Sequence, residues 1–114
     1  MNKTVVINVV ALSSRVIGEH TPFLKNWIEK RKKSIVEPVL PAVTCSAQST
    51  YLTGKMPSET GIVGNGWYFR DECEIKFWRQ SNHLVQGEKI WDLLRKEDPT
   101  STVSNMFWWY NMYS

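Results

Sequence analysis

Residues 40–54 read LPAVTCSAQSTYLTG, and in them an apolar extended run passes directly into a predicted helix that stops at Gly54. Thr44 lies at this junction. A hydroxyl there faces backbone N–H groups that have no partner within the helix, so the position can receive an anion. The residue alone leaves two interpretations open: Thr44 is a helix cap, or it is a nucleophile that attacks phosphorus.

Strand and helix patterns alternate along the rest of the chain. Largely apolar runs predict buried strands at residues 4–12 and 102–109, and a further strand at residues 34–40, which Pro38 places at a sheet edge or before a late bend. Helices are predicted after Thr21-Pro22, from Thr44 to Gly54, and over residues 88–97. A glycine-rich passage at residues 61–66 leads into a predicted hairpin formed by residues 67–70 and 74–78.

This order of elements predicts the α/β fold class, with a mostly parallel sheet flanked by helices. The working site of such a sheet lies beyond the carboxyl ends of its strands. Thr44 follows the second predicted strand, and Asn8 lies within the first. No linker or repeat interrupts residues 1–114, so we expect them to belong to one domain.

Composition argues against several classes of partner. The net charge of +3 is too small for the broad basic face of a protein that binds nucleic acid polymers. No run of residues approaches the roughly 20 apolar residues that span a membrane, so we expect no membrane partner. The chain has 2 cysteines, Cys45 and Cys73, which favours reduced thiols and a cytoplasmic location.

Three spaced motifs carry a resemblance to a known family: PAVT at residues 41–44, LTG at 52–54 and PSETGIVGN at 57–65. Together they resemble the nucleophile region of the alkaline phosphatase superfamily, most closely its type I phosphodiesterase and nucleotide pyrophosphatase branch. The resemblance continues through residues 66–71 and 77–82 and so covers nearly the whole chain. It corresponds to the N-terminal portion of the family's domain, which implies an alkaline phosphatase-like but truncated fold.

The resemblance implies a metal-dependent phosphoester hydrolase that acts on a small phosphorylated substrate. Thr44 would be the nucleophile and would form a phosphothreonine intermediate, while Asn65 would steady the phosphoryl oxygens. A metal ion that coordinates a threonine hydroxyl lowers its pKa and makes it a strong nucleophile. Trp67 and Tyr68 are candidates for stacking on a flat leaving group, with core packing as the alternative.

In the complete enzyme the family's cofactor is a pair of divalent metals, usually zinc. Its first ligand is an Asp at the end of the first strand, where this chain has Val10-Ala11. Asn8 is the nearest oxygen donor and is either a ligand or a hydrogen-bonding residue at the strand end; Thr44 would be a second ligand. His20 and His83 are expected to be ordinary loop residues, and Thr60 stands where the family has a histidine.

The chain closes on an aromatic run, FWWYNMYS at residues 107–114. An uncovered aromatic surface favours self-association. The alternative to a hydrolase is therefore a truncated, non-catalytic relative that acts as an interaction or packing module through this surface.

Overall fold

The computed structural model describes residues 3–113. In this range the elements, in chain order, are α1 Pro22–Glu29, α2 Thr44–Thr53, α3 Pro57–Thr60, β1 Gly66–Phe69, β2 Glu74–Phe77, a short 3-10 turn at Asn82–Leu84, and α4 Ile90–Glu97. The chain divides into two compact units, residues 1–37 and residues 38–114.

Helix α1 is the main element of the first unit, and it begins where the sequence predicts. Thr21 holds the N-cap position and Pro22 the first helical position, where a missing N–H costs nothing. The Thr21 hydroxyl does not cap the helix, however. It accepts a hydrogen bond from the Gly18 N–H at 2.9 Å and donates to the Val16 carbonyl at 3.0 Å, so it stabilises the preceding turn instead.

The expected strands at residues 4–12, 34–40 and 102–109 are not formed. Val5 and Ile7, predicted to be buried, are 80% and 77% exposed. A parallel strand satisfies its backbone N–H and carbonyl groups only through a neighbouring strand. Within residues 3–113 only β1 and β2 pair as strands of a sheet, and they pair antiparallel. The α/β class is therefore correct, whereas the expected mostly parallel sheet does not form.

Helix α2 organises the second unit. It starts at Thr44 after an extended Val43 and ends at Gly54, whose φ of 68° is the left-handed conformation that glycine adopts without strain. Its small polar side chains bond back to the chain: the Ser49 hydroxyl, for example, donates to the Cys45 carbonyl at 2.8 Å. These bonds let a polar helix face be buried.

The core of the second unit forms around four buried side chains, Cys45, Ile62, Val85 and Tyr110, with Trp67, Leu84 and Trp109 packed against them. These residues come from α2, from the segment before β1, and from the segments on either side of α4. The core thus holds α2 against distant parts of the chain.

The predicted hairpin forms as expected. Gly66 pairs with Phe77 and Phe69 with Glu74, and a turn at residues 70–73 joins the strands. The Phe77 ring lies directly over the Gly66 backbone, so that a Cβ at position 66 would come within 2.8 Å of the ring's Cγ. The absence of a side chain at Gly66 is what allows this approach.

Candidate active site

Asn65 is bound to the first turn of α2 through its side chain. The Cys45 N–H donates to Asn65 Oδ1 at 3.0 Å, across 20 positions of sequence. The N-cap residue Val43 has no side-chain oxygen, and the helix has no side-chain cap of its own. Asn65 thus satisfies one of the N–H groups that a capping residue normally would, and it lies beside the turn that begins at Thr44.

Thr44 is the first residue of α2 and is half-buried. Within the described part of the chain its hydroxyl makes no hydrogen bond to another residue. The helix-cap interpretation is wrong, because Val43 occupies the N-cap position and no side-chain cap bond forms. The Thr44 hydroxyl is therefore not used to stabilise the helix.

The N-terminus of α2 keeps further donors. The first bond within the helix runs from the Ala47 N–H to the Val43 carbonyl at 3.0 Å. Of the three N–H groups before it, that of Cys45 is bonded to Asn65. Those of Thr44 and Ser46 make no hydrogen bond within residues 3–113. Ser46 is fully buried, so the Thr44 N–H is the one left to face an anion at the positive end of the helix.

Cys45 does not compete with Thr44 as a nucleophile. Its side chain is fully buried, and burial raises the pKa of the thiol, an effect that the neighbouring Tyr110 hydroxyl only partly offsets. The thiolate is the reactive form, so a raised pKa makes this cysteine inert near neutral pH. A helix N-terminus favours the thiolate, but burial of the Cys45 side chain disfavours it more strongly.

Comparison with known proteins gives the family. The sequence profile described as type I phosphodiesterase / nucleotide pyrophosphatase matches residues 4–114. The chain belongs to this family. It is also similar to alkaline phosphatase PhoD of Zymomonas mobilis subsp. mobilis, with 24% identity over 120 residues. That match covers 87% of this chain and 21% of the relative, and no solved structure matches.

The two residues predicted to contact a phosphodiesterase substrate lie on opposite faces of β1, because neighbouring strand residues alternate. Trp67 packs against the core and stacks on Phe69, with ring centroids 5.1 Å apart. Tyr68 is exposed on the other face. The packing alternative thus describes the observed contacts of Trp67, and stacking on a leaving group stays a prediction for both residues.

The residues do not fit the family's pair of metal ions. Among residues 3–113 no group of three or more His, Cys, Asp or Glu side chains is close enough to hold a metal ion. Asn8 is exposed within the first unit, in a segment that is not a strand. His20 and His83 are exposed, and His83 lies in the 3-10 turn at Asn82–Leu84.

Gln48 was not predicted as part of the site. It lies one helical turn after Thr44 and is 6% exposed, and its Oε1 accepts the backbone N–H of Trp109 at 2.9 Å. The sequence signal is slight: a long amide side chain within a helix of mainly small polar residues. Its partner lies 61 positions away, and no local pattern identifies such a partner.

No helix in the described range has the length and apolar composition needed to cross a membrane.

Proposed function

We propose that this chain carries the nucleophile region of a phosphoester hydrolase of the phosphodiesterase and nucleotide pyrophosphatase type. Family membership supports the reaction class. The observation that carries the assignment of residues is the hydrogen bond from the Cys45 N–H to Asn65 Oδ1. It places an amide side chain beside a helix turn whose first hydroxyl, that of Thr44, has no structural bond.

In the proposed reaction Thr44 Oγ1 gives up its proton to solvent and forms a bond to phosphorus, and the bond from phosphorus to the leaving-group oxygen breaks. The leaving group departs with the electron pair and takes a proton from solvent, and a phosphothreonine remains at position 44. Water then attacks this phosphorus, the bond from phosphorus to Oγ1 breaks, and one proton of the water passes to Oγ1, so that threonine is regenerated and phosphate or a phosphate ester is released. Both displacements build negative charge on the phosphoryl oxygens.

Asn65 and the helix N-terminus are suited to stabilise that charge. Because Asn65 Oδ1 already accepts the Cys45 N–H, its Nδ2 group is the part of the side chain left to donate to a phosphoryl oxygen. The N–H group of Thr44 adds a donor that is already oriented. Preorganised donors of this kind cost little reorganisation when charge develops.

The remaining parts of the proposal concern the complete enzyme. They are a small phosphorylated substrate, stacking of its leaving group on Trp67 or Tyr68, and two divalent metals, zinc first, whose ligands would come largely from beyond residues 3–113. The exposed apolar runs at residues 4–12 and 34–40 would supply strands to the parallel sheet of a single alkaline phosphatase-like domain. The free thiols of Cys45 and Cys73 support a cytoplasmic location.

The test uses substitutions of Thr44 and Asn65 in the complete gene product, assayed with p-nitrophenyl phenyl phosphate and with added zinc. Thr44→Val keeps the shape and removes the hydroxyl; it should lower kcat at least about a thousandfold and abolish a phosphate adduct on the peptide that contains position 44. Thr50→Val is the matched control, because Thr50 lies in the same helix and its buried hydroxyl has no partner either.

Asn65→Asp separates the two roles of Asn65, which are to accept the Cys45 N–H and to donate to a phosphoryl oxygen. An aspartate keeps the oxygen that accepts the Cys45 N–H but lacks the amide donor and adds negative charge. We expect it to lower kcat about a hundredfold or more while the fold persists.

Retention of full activity in Thr44→Val would contradict the proposal. An inactive complete gene product that still folds and binds through its aromatic surface would favour the non-catalytic alternative.

A further inference from the structure

Two routes join Asn65 to helix α2, and together they close a ring of contacts. The direct route is the Cys45 N–H bond to Asn65 Oδ1. In the second route the Asn65 carbonyl accepts the Trp78 N–H at 2.9 Å, and the Trp78 ring packs on the Trp109 ring with centroids 5.2 Å apart. The Trp109 N–H then donates to Gln48 Oε1 at 2.9 Å, and Gln48 belongs to α2.

The last link depends on an unusual stretch of chain, residues 107–112, which we term the strap. Phe107 and Tyr110 both have positive φ, 61° and 60°, a conformation that costs free energy in residues other than glycine. Tyr110, at 1% exposure, is buried in the core, and the Met112 carbonyl accepts the Asn82 N–H at 2.9 Å. The strap is therefore fixed on the C-terminal side of the bond from Trp109 to Gln48.

Gln48 joins helix α2 to this strap. Its side chain is buried, and its Oε1 accepts the N–H of a residue 61 positions away. Removing the acceptor would leave the Trp109 N–H without a partner in a partly buried place, which is costly. The same loss would also break the second route, because this hydrogen bond is the contact that joins Trp109 to α2.

We propose that Gln48 is a positioning residue for the site, which rests on the proposed function of Thr44 and Asn65. By holding the strap, Gln48 keeps the Trp78 and Trp109 rings together and so fixes the backbone of Asn65 relative to the first turn of α2. Without it, Asn65 keeps its direct bond to Cys45 but loses the second restraint. That bond then opens more often.

The test measures hydrogen exchange at single amides of the full chain by NMR, in the wild type, Gln48→Met and Gln48→Glu. Methionine keeps the length and removes the acceptor, whereas glutamate keeps an acceptor oxygen. In Gln48→Met the Cys45 amide should exchange about tenfold faster, the scale of one hydrogen bond. Gln48→Glu should restore slow exchange. Gln86→Met, at an exposed glutamine, is the control.

The Gly54 amide separates positioning from a general loss of structure. It donates to the Thr50 carbonyl at 2.8 Å at the other end of the same helix. Faster exchange at Cys45 and at Trp78 with little change at Gly54 is the expected result. An equal rise at Cys45 and Gly54 would mean that Gln48 only stabilises α2, and no rise at Cys45 would also overturn the proposal.

Trp78→Leu provides an independent variant in case Gln48→Met does not fold. Trp78 is about half exposed, so its replacement disturbs the core less, and it interrupts the ring at the contact with Trp109 while Gln48 stays intact. Faster exchange at Cys45 is again expected, and unchanged exchange would overturn the proposed route. None of these measurements uses catalysis, so failure of the phosphoester hydrolase assay would leave their outcome readable.

Discussion

At the scale of single residues, the buried pair of Cys45 and Tyr110 makes stability depend on alkaline pH. The Tyr110 hydroxyl is buried without a hydrogen bond of regular geometry, although the Cys45 thiol beside it also affects its ionisation. Burial raises the pKa of both groups above their ordinary values of 9.0 for the thiol and 10.0 for the phenol. The folded protein thus keeps protons that the unfolded chain loses at high pH. The contribution of these two groups to the free energy of unfolding is therefore fully present below these ordinary values. It decreases as the pH rises above about 9.

Tyr110→Phe should therefore stabilise the protein rather than weaken it. At pH 7 the substitution removes an unsatisfied hydroxyl, and we expect the free energy of unfolding to stay equal or to rise by up to about 1 kcal/mol. Between pH 7 and about pH 10.5 the variant should lose less stability than the wild type, because only the Cys45 contribution remains. Urea unfolding followed by tryptophan fluorescence measures both, with Tyr113→Phe as the exposed control. A clear loss of stability at pH 7 would show that the hydroxyl has a strong partner.

How far the sequence predicts individual residues depends on how local their roles are. Thr44 could be placed at a helix start because Gly54 and the apolar run before it mark both ends of α2. Whether its hydroxyl capped the helix could not be decided from the sequence. The Cys45 N–H, which a capping side chain could have bonded, is instead bonded to Asn65, 20 positions away. Gln48 was missed for the same reason: its partner belongs to a segment that no local pattern connects to it.

At the scale of elements, the hairpin depends on Gly66. A Cβ at this position would approach the Phe77 ring to within 2.8 Å of Cγ, so Gly66→Ala forces the ring to move. We expect a loss of about 1–3 kcal/mol in the free energy of unfolding, toward the lower end because Phe77 is exposed and can swing outward. Phe77→Ala introduced together with Gly66→Ala should recover most of this loss.

Thermal unfolding of the two single variants and the double variant measures this coupling. Gly18→Ala is the matched control, since a Cβ there would meet nothing within 4 Å. Losses that simply add in the double variant would show that the Phe77 ring is not what excludes a side chain at Gly66. Because Asn65 directly precedes this glycine, the same variants also report how firmly the hairpin holds the candidate site.

The elements that the sequence predicted correctly are those with local signals. Pro22 at the start of α1, Gly54 at the end of α2 and the alternation before and after residues 70–73 each fix an element within a few residues. The apolar runs at 4–12, 34–40 and 102–109 carry the composition of buried strands. A strand, however, forms only beside another strand, and within residues 3–113 none of these runs is paired as a strand of a sheet.

At the scale of the whole molecule, uncovered apolar surface is the main consequence of those missing pairings. Residues 5–10, VVINVV, are exposed, and Phe107 on the strap is 95% exposed. We propose that the aromatic C-terminal surface, represented by Phe107 and Tyr113, drives self-association. Burial of two large aromatic side chains is worth about 3–6 kcal/mol before the costs of association. A Kd of 1 mM already requires about 4 kcal/mol net, so we expect weak dimers that form at millimolar concentration or above.

The final prediction compares these two surfaces by sedimentation velocity over a range of protein concentrations. Phe107→Ser with Tyr113→Ser should weaken association at least about tenfold, because each exposed ring loses an apolar contact of over 1 kcal/mol. Val6→Ser with Val10→Ser is the matched pair in the exposed β-branched run and should weaken it less. The reverse order would assign the interface to residues 5–10, whose β-branched composition suits edge-to-edge strand pairing. In that case association between copies would mimic the sheet contacts that these residues were predicted to make, and the aromatic surface would have no part in it.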